Sequence, residues 1–208
     1  MKIALINASP KPAYSGSGNL LDELKKDFPK SAEIRTYEFH RKYISEFTVK
    51  ELLTMDAWVI FCPLYIDALP SHLLSCLMQI EKARPNKKIR IYGVINCGFY
   101  EGRQTDVAFE ILENFCNRCG FVFSGGMGIG GGGILSMVPM LAKKKHTKIG
   151  VLLKFNFFAR KVAKCKPYET VYTSVTMPLK MYKIGAEATW RIANVTNGNR
   201  PKELNRRY

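Results

Sequence analysis

The chain has 208 residues, 47% of them apolar, and 32 Lys and Arg against 17 Asp and Glu give it a net charge of +15. That composition excludes a disordered class, and the length suits one domain with an extension. The six cysteines lie mostly in apolar runs, and no charged stretch leads into a signal-type apolar core at the N-terminus, so a reduced, cytoplasmic setting is expected.

The charge is unevenly placed. Residues 1–113 hold 15 basic and 14 acidic residues, residues 114–168 ten basic and none acidic, and residues 169–208 seven basic and three acidic. The back half therefore projects a positive field, suited to phosphorylated cofactors, anionic lipid or nucleic acid.

In chain order, "KIALINA" (2–8) is a short continuous apolar run, as expected of a strand covered on both faces. The loop "SPKPAYSGSGN" (9–19) follows it and leads into a helical pattern from Asn19 to Phe28. It offers Ser9, Ser15, Ser17 and Asn19 as hydrogen-bond donors, Lys11 as a countercharge, and Gly16 and Gly18 for close backbone approach. Amide groups and a helix dipole at that position suit an anion. The same residues also suit a polar surface turn with an N-cap serine; no G-K-[ST] follows, so this is not a Walker loop.

"AEIRTYEF" (32–39) alternates and predicts a half-exposed second strand, and Thr48 and Glu51 are spaced as a capping box for a helix over Thr48–Met55. The third strand, "AWVIFCPLY" (57–65), runs on through Pro63, Leu64, Tyr65 and Ile66 before Pro70 opens a helix over Ser71–Ala83. The fourth, "KIRIYGVIN" (88–96), runs into "NCGFYEG" (96–102), with Asn96, Cys97, Gly98, Phe99 and Tyr100. Apolar, aromatic rims at two strand ends suit a flat heteroaromatic ring with backbone amides of 64–66 and 97–99 at its edge. Taken singly, Tyr65, Phe99 and Tyr100 also fit core or interface aromatics.

A helix over Thr105–Cys119 precedes a fifth strand at "CGFVFSG" (119–125). Cys116 and Cys119 form C-x-x-C, but they share a helical face with Ala108, Ile111, Leu112 and Phe115, which argues for core rather than a redox pair or zinc. His40, His72 and His146 lie in polar settings, and no pair has metal-ligand spacing, so no metal site is expected. The uncharged run from Cys119 to Ala142 is long enough to suggest a membrane span. Its eight glycines and Pro139 argue instead for a strand, a glycine loop and a new helix, because each interior glycine costs about 1 kcal/mol relative to alanine. "SGGMGIGGGG" (124–133) matches G-x-G-x-x-G twice, yet no acid follows before Glu169, so it lacks the ribose partner of a dinucleotide loop.

"TKIGVLLKFNFFARKVAKCK" (147–166) is a helix with Val151, Leu152, Phe155, Phe158, Ala159 and Val162 on one face. Docking or dimerisation is favoured over an anionic membrane, since a surplus helix must bury its apolar face. A last helix spans about Leu179–Val195, with Trp190 expected to pack, and a basic tail follows. Strand then helix, five times over, predicts a doubly wound α/β sheet whose ligand sits outside the strands' carboxyl ends, where strand order reverses.

Three loops in order, "SPKPAYSGS", "PLYIDALPSHL" and "NCGFYEG", resemble the FMN-binding loops of the flavodoxin-like NAD(P)H-dependent FMN and quinone reductases. The resemblance covers about residues 1–135 and implies a five-stranded parallel sheet of order 2-1-3-4-5. It implies FMN held by its phosphate at Ser9, Lys11, Ser15, Ser17 and Asn19, with the ring against Pro63, Leu64, Tyr65 and Ile66 on one side and Asn96, Cys97, Gly98, Phe99 and Tyr100 on the other. The implied activity is hydride transfer from NADPH or NADH to flavin and then to a quinone, flavin or other small acceptor, by a homodimer. No catalytic side chain is assigned, with Tyr65 and Tyr100 as candidate lids or proton donors.

Residues 136–208 then form a basic helical extension packed on the domain or in a dimer interface, and Lys143–Lys145 are expected to attract nucleotide phosphates. The glycines of 124–133 are expected to leave clearance at the reactive edge of the flavin. Where the family often carries arginine, Lys11 supplies a point charge without a bidentate fork. No cysteine cluster accompanies the second and third strands, so flavin alone is expected, without an iron–sulfur centre. A one-electron flavodoxin-type carrier would share fold and cofactor, but carriers present an acidic docking surface. A nucleic-acid module would suit the charge but lacks a recognition motif. Peripheral membrane contact through 147–166 is the remaining alternative.

Overall fold

A computed structural model describes residues 1–13, 15–83, 85–132 and 150–198. They divide into two units, Met1–Val175 and Thr176–Tyr208.

The first unit is built on parallel strands β1 (Lys2–Asn7), β2 (Glu33–Glu38), β3 (Ala57–Pro63), β4 (Arg90–Asn96), β5 (Val122–Ile129) and β6 (Val171–Thr173). Their order is β2-β1-β3-β4-β5-β6, a doubly wound, flavodoxin-like α/β arrangement. The expected five strands are thus six: Met127–Ile129 of β5 pair with Val171–Thr173. A three-residue strand carries no readable period, which is why the sequence conceals it.

The central strands are apolar because both faces are covered. Ile3, Leu5, Ile6, Val59, Phe61, Ile91 and Val94 are fully buried, each stabilising the fold by roughly 1.5–3 kcal/mol. Edge strand β2 has no buried residue, in keeping with its alternation.

Four helices cover the sheet between β1 and β5: α1 (Gly16–Lys25), α2 (Glu46–Leu52), α3 (Ser71–Lys82) and α4 (Asp106–Cys119), the last entered through a 3-10 turn at Gly102–Thr105. The cap of α2 is Ser45, whose hydroxyl accepts from the Thr48 amide at 3.0 Å, so Thr48 is the capped donor and not the cap itself. Helix α4 buries Ala108, Leu112, Phe115, Cys116 and Cys119 on one face, which makes the C-x-x-C pair core. Burial pushes the Cys119 thiol up to about 11 and Cys116 further still. Gly120 ends α4 at φ 69°, and the Phe121 amide then reaches the Cys116 carbonyl at 2.9 Å.

Helix α5 (Gly150–Ala163) belongs to the same unit. Phe155, Phe158, Ala159 and Val162 are fully buried as the apolar face predicts, beside α1, while Leu153 and Phe157 stay exposed. Phe158 meets the Tyr92 ring edge-on at 5.9 Å and Tyr168 at 4.7 Å, and the Tyr92 hydroxyl donates to the Lys166 carbonyl at 2.8 Å. The second unit holds α6 (Leu179–Thr196), in which no residue is buried; Trp190, expected to pack, is exposed. No helix among the described residues is long and apolar enough to cross a membrane.

Candidate functional site

The chain leaves β1 toward β2 on one side and returns to β3 on the other, so strand order reverses between β1 and β3. The loops after β1, β3 and β4 open at that point, where a doubly wound sheet binds its ligand.

The first loop is folded by its own side chains. Asn7 Oδ1 accepts from the Ser9 amide at 3.2 Å, and Ser9 Oγ accepts from the Lys11 amide at 3.2 Å. Ser15 caps α1, accepting from the Gly18 amide at 2.9 Å, and its carbonyl takes the Asn19 amide at 3.0 Å. Ser9 and Ser15 each accept one N–H, so each keeps its own proton for an anion. Ser17 does not: its buried hydroxyl donates to Asn96 Oδ1 at 2.7 Å. Ser17 is therefore a strut between the first and fourth loops, contributing an amide at the α1 N-terminus rather than a hydroxyl.

Two histidines complete the loop, and local sequence gives no signal for either. His72, in α3, reaches the Ala8 carbonyl through Nε2 at 3.2 Å. His40, just beyond β2, donates from Nδ1 to the Ser9 carbonyl at 2.6 Å, with its Nε2 2.9 Å from Glu38 Oε2. A carbonyl can only accept, so Nδ1 carries the proton of that bond. Burial raises the Glu38 carboxyl, against the opposing pull of His40 and Asn7. Glu38 and Asp22, with Asn7, Ser15 and Asn19, line a cleft of about 180 Å³ on the β2 side. Two carboxyl groups make the floor of that cleft a poor seat for a phosphate; Ser15, at the α1 N-terminus on its rim, can still face the side bearing Ser9 and the exposed Lys11, where positive charge lies.

The third loop is tied to the fourth by the Leu64 amide, which donates to the Asn96 carbonyl at 2.7 Å. Asn96, 7% exposed, thus joins all three loops. Beyond Pro63 and Leu64, Tyr65 and Ala68 exchange two backbone bonds of 3.0 and 3.1 Å across a tight turn whose central residues, Ile66 and Asp67, have φ of 50° and 56°. A β-branched residue in that region is strained by roughly 1–2 kcal/mol. Ile66 is also 99% exposed, with Tyr65 at 46% and, from the fourth loop, Phe99 at 54%. Strain that holds an aliphatic side chain wholly in the open, on one of two neighbouring loops that each also expose a ring, marks a surface shaped for a ligand.

In the fourth loop the Cys97 amide donates to the Ile129 carbonyl at 2.9 Å and its side chain is buried. The thiol points back toward the Phe99 and Glu101 carbonyls, and burial raises its pKa. The amides of Leu64, Tyr65 and Cys97 are committed within the protein, which removes half of the 64–66 and 97–99 set expected at a ring edge.

The glycine stretch is placed differently from expectation. Ser124–Ile129 belong to β5, and the glycines leave room for protein rather than for substrate. A Cβ on Gly130 would collide with the Tyr100 carbonyl, and one on Gly132 would come within 2.7 Å of the Cys97 carbonyl. The Gly131 and Gly132 amides donate to the Phe99 and Cys97 carbonyls, both at 2.6 Å. These glycines bring one backbone against another and so brace the fourth loop from behind. Gly133 and Lys143–Lys145 lie outside the described residues.

No protein-family model matches the chain, and no curated protein matches it. Solved structures do. An azoreductase from Bacillus anthracis str. Sterne superposes with a TM-score of 0.56 at 15% identity, covering 79% of this chain and 99% of its own. An NADPH-quinone reductase from P. pentosaceus gives 0.58 at 13% identity, covering 78% and 98%. An FMN-dependent NADH-azoreductase from Bacillus anthracis str. Ames Ancestor, in complex with FMN, gives 0.52 at 17% identity, covering 78% and 99%. The three-loop site is therefore set in a flavodoxin-like fold that this chain shares with structures described as azoreductases and an NADPH-quinone reductase.

Proposed function

We propose that this chain is an FMN-dependent NAD(P)H oxidoreductase that passes electrons to a quinone, a flavin or another small acceptor. The observation that carries the reading is Ile66, strained and fully exposed in the third loop, with Tyr65 of that loop and Phe99 of the fourth also exposed where strand order reverses. The likeness in fold to structures described as azoreductases and a quinone reductase supports it.

The residues present fit the cofactor. Ser9 and Ser15 keep hydroxyl protons for phosphate oxygens, the first amides of α1 and the Lys11 ammonium add positive charge, and the apolar rim of Tyr65, Ile66 and Phe99 suits a ring. FMN, when bound, supplies the two-electron chemistry between nicotinamide and acceptor. The chain's own part is to position and to exclude water. The Ser17–Asn96 bond and the Leu64–Asn96 bond fix the spacing of the loops, and Tyr65 and Tyr100 remain the candidate lids. A homodimer in a cytoplasmic setting, with residues 136–208 as a basic extension, belongs to the same reading.

A flavodoxin-type carrier is the second reading, and the net charge of +15 opposes it. The test is the absorbance spectrum of purified protein with added FMN, followed by stopped-flow mixing with NADPH and NADH. Flavin uptake and rapid bleaching by either nucleotide support the enzyme. Flavin bound but reduced by neither favours the carrier, and a protein that takes up no FMN overturns both.

A further inference from the structure

The unit Thr176–Tyr208 contains one described element, α6, so nothing described within that unit covers the helix. Leu179, Met181, Ile184, Trp190, Ile192 and Val195 are all exposed on it. Its charged residues are not scattered. Lys180, Lys183, Glu187 and Arg191 fall at successive steps of three, four and four residues, a single stripe about 80° wide on a helix of 3.6 residues per turn. Glu187 is paired with Arg191 at 2.9 Å, which leaves the two lysines as the net charge of the stripe. Ile184, Val195, Met181 and Ile192 form a continuous apolar band on one side of it, and Trp190 borders the other.

We infer that α6 lies in the plane of an anionic lipid surface, its charged stripe toward the headgroups and water and its uncharged remainder, edged by the apolar band on one side and Trp190 on the other, toward the acyl boundary. The pattern is that of an interfacial helix: basic polar face, broad uncharged remainder, and an indole at the edge between them. The helix lies on the membrane and does not cross it. Charge selects this occupant over a second copy. The sequence of this unit carries seven basic residues and two acidic, Arg200, Lys202, Arg206 and Arg207 against Glu203 among them after α6. Two such faces repel, whereas an anionic leaflet attracts each of them.

The test uses the full chain and vesicles of phosphatidylglycerol with phosphatidylcholine, compared with phosphatidylcholine alone. Co-sedimentation is expected to be at least about tenfold stronger with the anionic vesicles and to weaken with salt. Lipids brominated near the headgroup are expected to quench Trp190, while Trp58, fully buried in the sheet, is spared. Ile184→Asp with Ile192→Asp is expected to abolish binding and leave near-ultraviolet circular dichroism and FMN uptake as they were. Equal binding to both vesicle types overturns the proposal, as does no binding or binding that survives the double substitution. So does a dimer in lipid-free light scattering that the double substitution dissociates, which would assign the band to a second copy.

Discussion

Ile66 shows how a single residue carries information that stability does not ask for. Its positive φ suits asparagine or glycine, and its full exposure returns nothing for the strain. Ile66→Asn is expected to stabilise the flavin-free protein by about 1 kcal/mol in urea titration while weakening FMN binding several-fold. Unchanged affinity would remove the observation on which the functional reading rests. The serines divide by where their protons go. Ser9→Ala gives up one loop bond, that from the Lys11 amide, and is expected to raise the Kd for FMN about tenfold, the loss of one charge-assisted bond. Ser17→Ala instead leaves buried Asn96 without its donor and is expected to cost roughly 1–3 kcal/mol of stability, read as a fall in Tm even without flavin. Asp56 offers a check at the opposite end of the sheet. The Lys2 amide first, and the Lys87 ammonium after it, hold its carboxyl below the ordinary range, although partial burial pulls the other way. A depressed folded value means a contribution present above the unfolded value near 3.8 and lost as pH falls through the folded one. Both partners are about 40% exposed, so the contribution is under about 1 kcal/mol, and Asp56→Asn is expected to flatten the acid limb of the stability profile by that much.

At the scale of elements, the strands covered on both faces were legible because burial writes itself as continuous Ile, Val and Phe, and α3 and α4 because their apolar positions recur at helical spacing. Two elements were not. The three residues of β6 are held by pairing with β5, a relation between distant segments that neither local composition nor period records. β5 itself read as ending at Gly125, because glycine usually ends a strand; here Gly126 and Gly130 are required by backbones packed against them, and Gly128 by the Thr105 hydroxyl and the Tyr172 ring. The site was legible to the extent that it is made of contiguous loops. His40 and His72 escaped because each acts on a carbonyl of a remote segment, and Ser17 was given a ligand where it has Asn96. The glycines supply a paired test. Gly130→Ala drives a methyl group into the Tyr100 carbonyl and is expected to cost roughly 3 kcal/mol and loosen the fourth loop. Gly120→Ala, at φ 69° with open space around it, is expected to cost only about 1 kcal/mol, from backbone strain alone. Similar losses in thermal unfolding would mean that the close backbone approach at Gly130 is not what fixes it as glycine.

Over the whole chain, the site and the charge are separated in sequence. Every residue placed in the three loops lies before residue 113, where basic and acidic residues nearly balance, and the +15 arises almost entirely beyond it. Nicotinamide nucleotides, the substrates on the proposed reading, are polyanions, and on that reading a field from the later residues would raise the rate of encounter with the site without needing contact at it. The bimolecular rate of flavin reduction is therefore expected to fall as salt rises from about 0.01 M to 0.15 M, as the Debye length shrinks from about 30 Å to 8 Å. The first-order step after binding is expected to be insensitive. NADPH, with one more phosphate than NADH, is expected to show the steeper salt dependence. Exchanging Lys143, Lys144 and Lys145 for Glu locates the source. If the field of the later residues steers the nucleotide, these exchanges flatten the salt dependence and lower the bimolecular rate while the first-order step is unchanged. If Lys11 and the α1 N-terminus alone account for the attraction, the exchanges leave both rates as they were, and the basic half of the chain is charged for a partner other than the nucleotide.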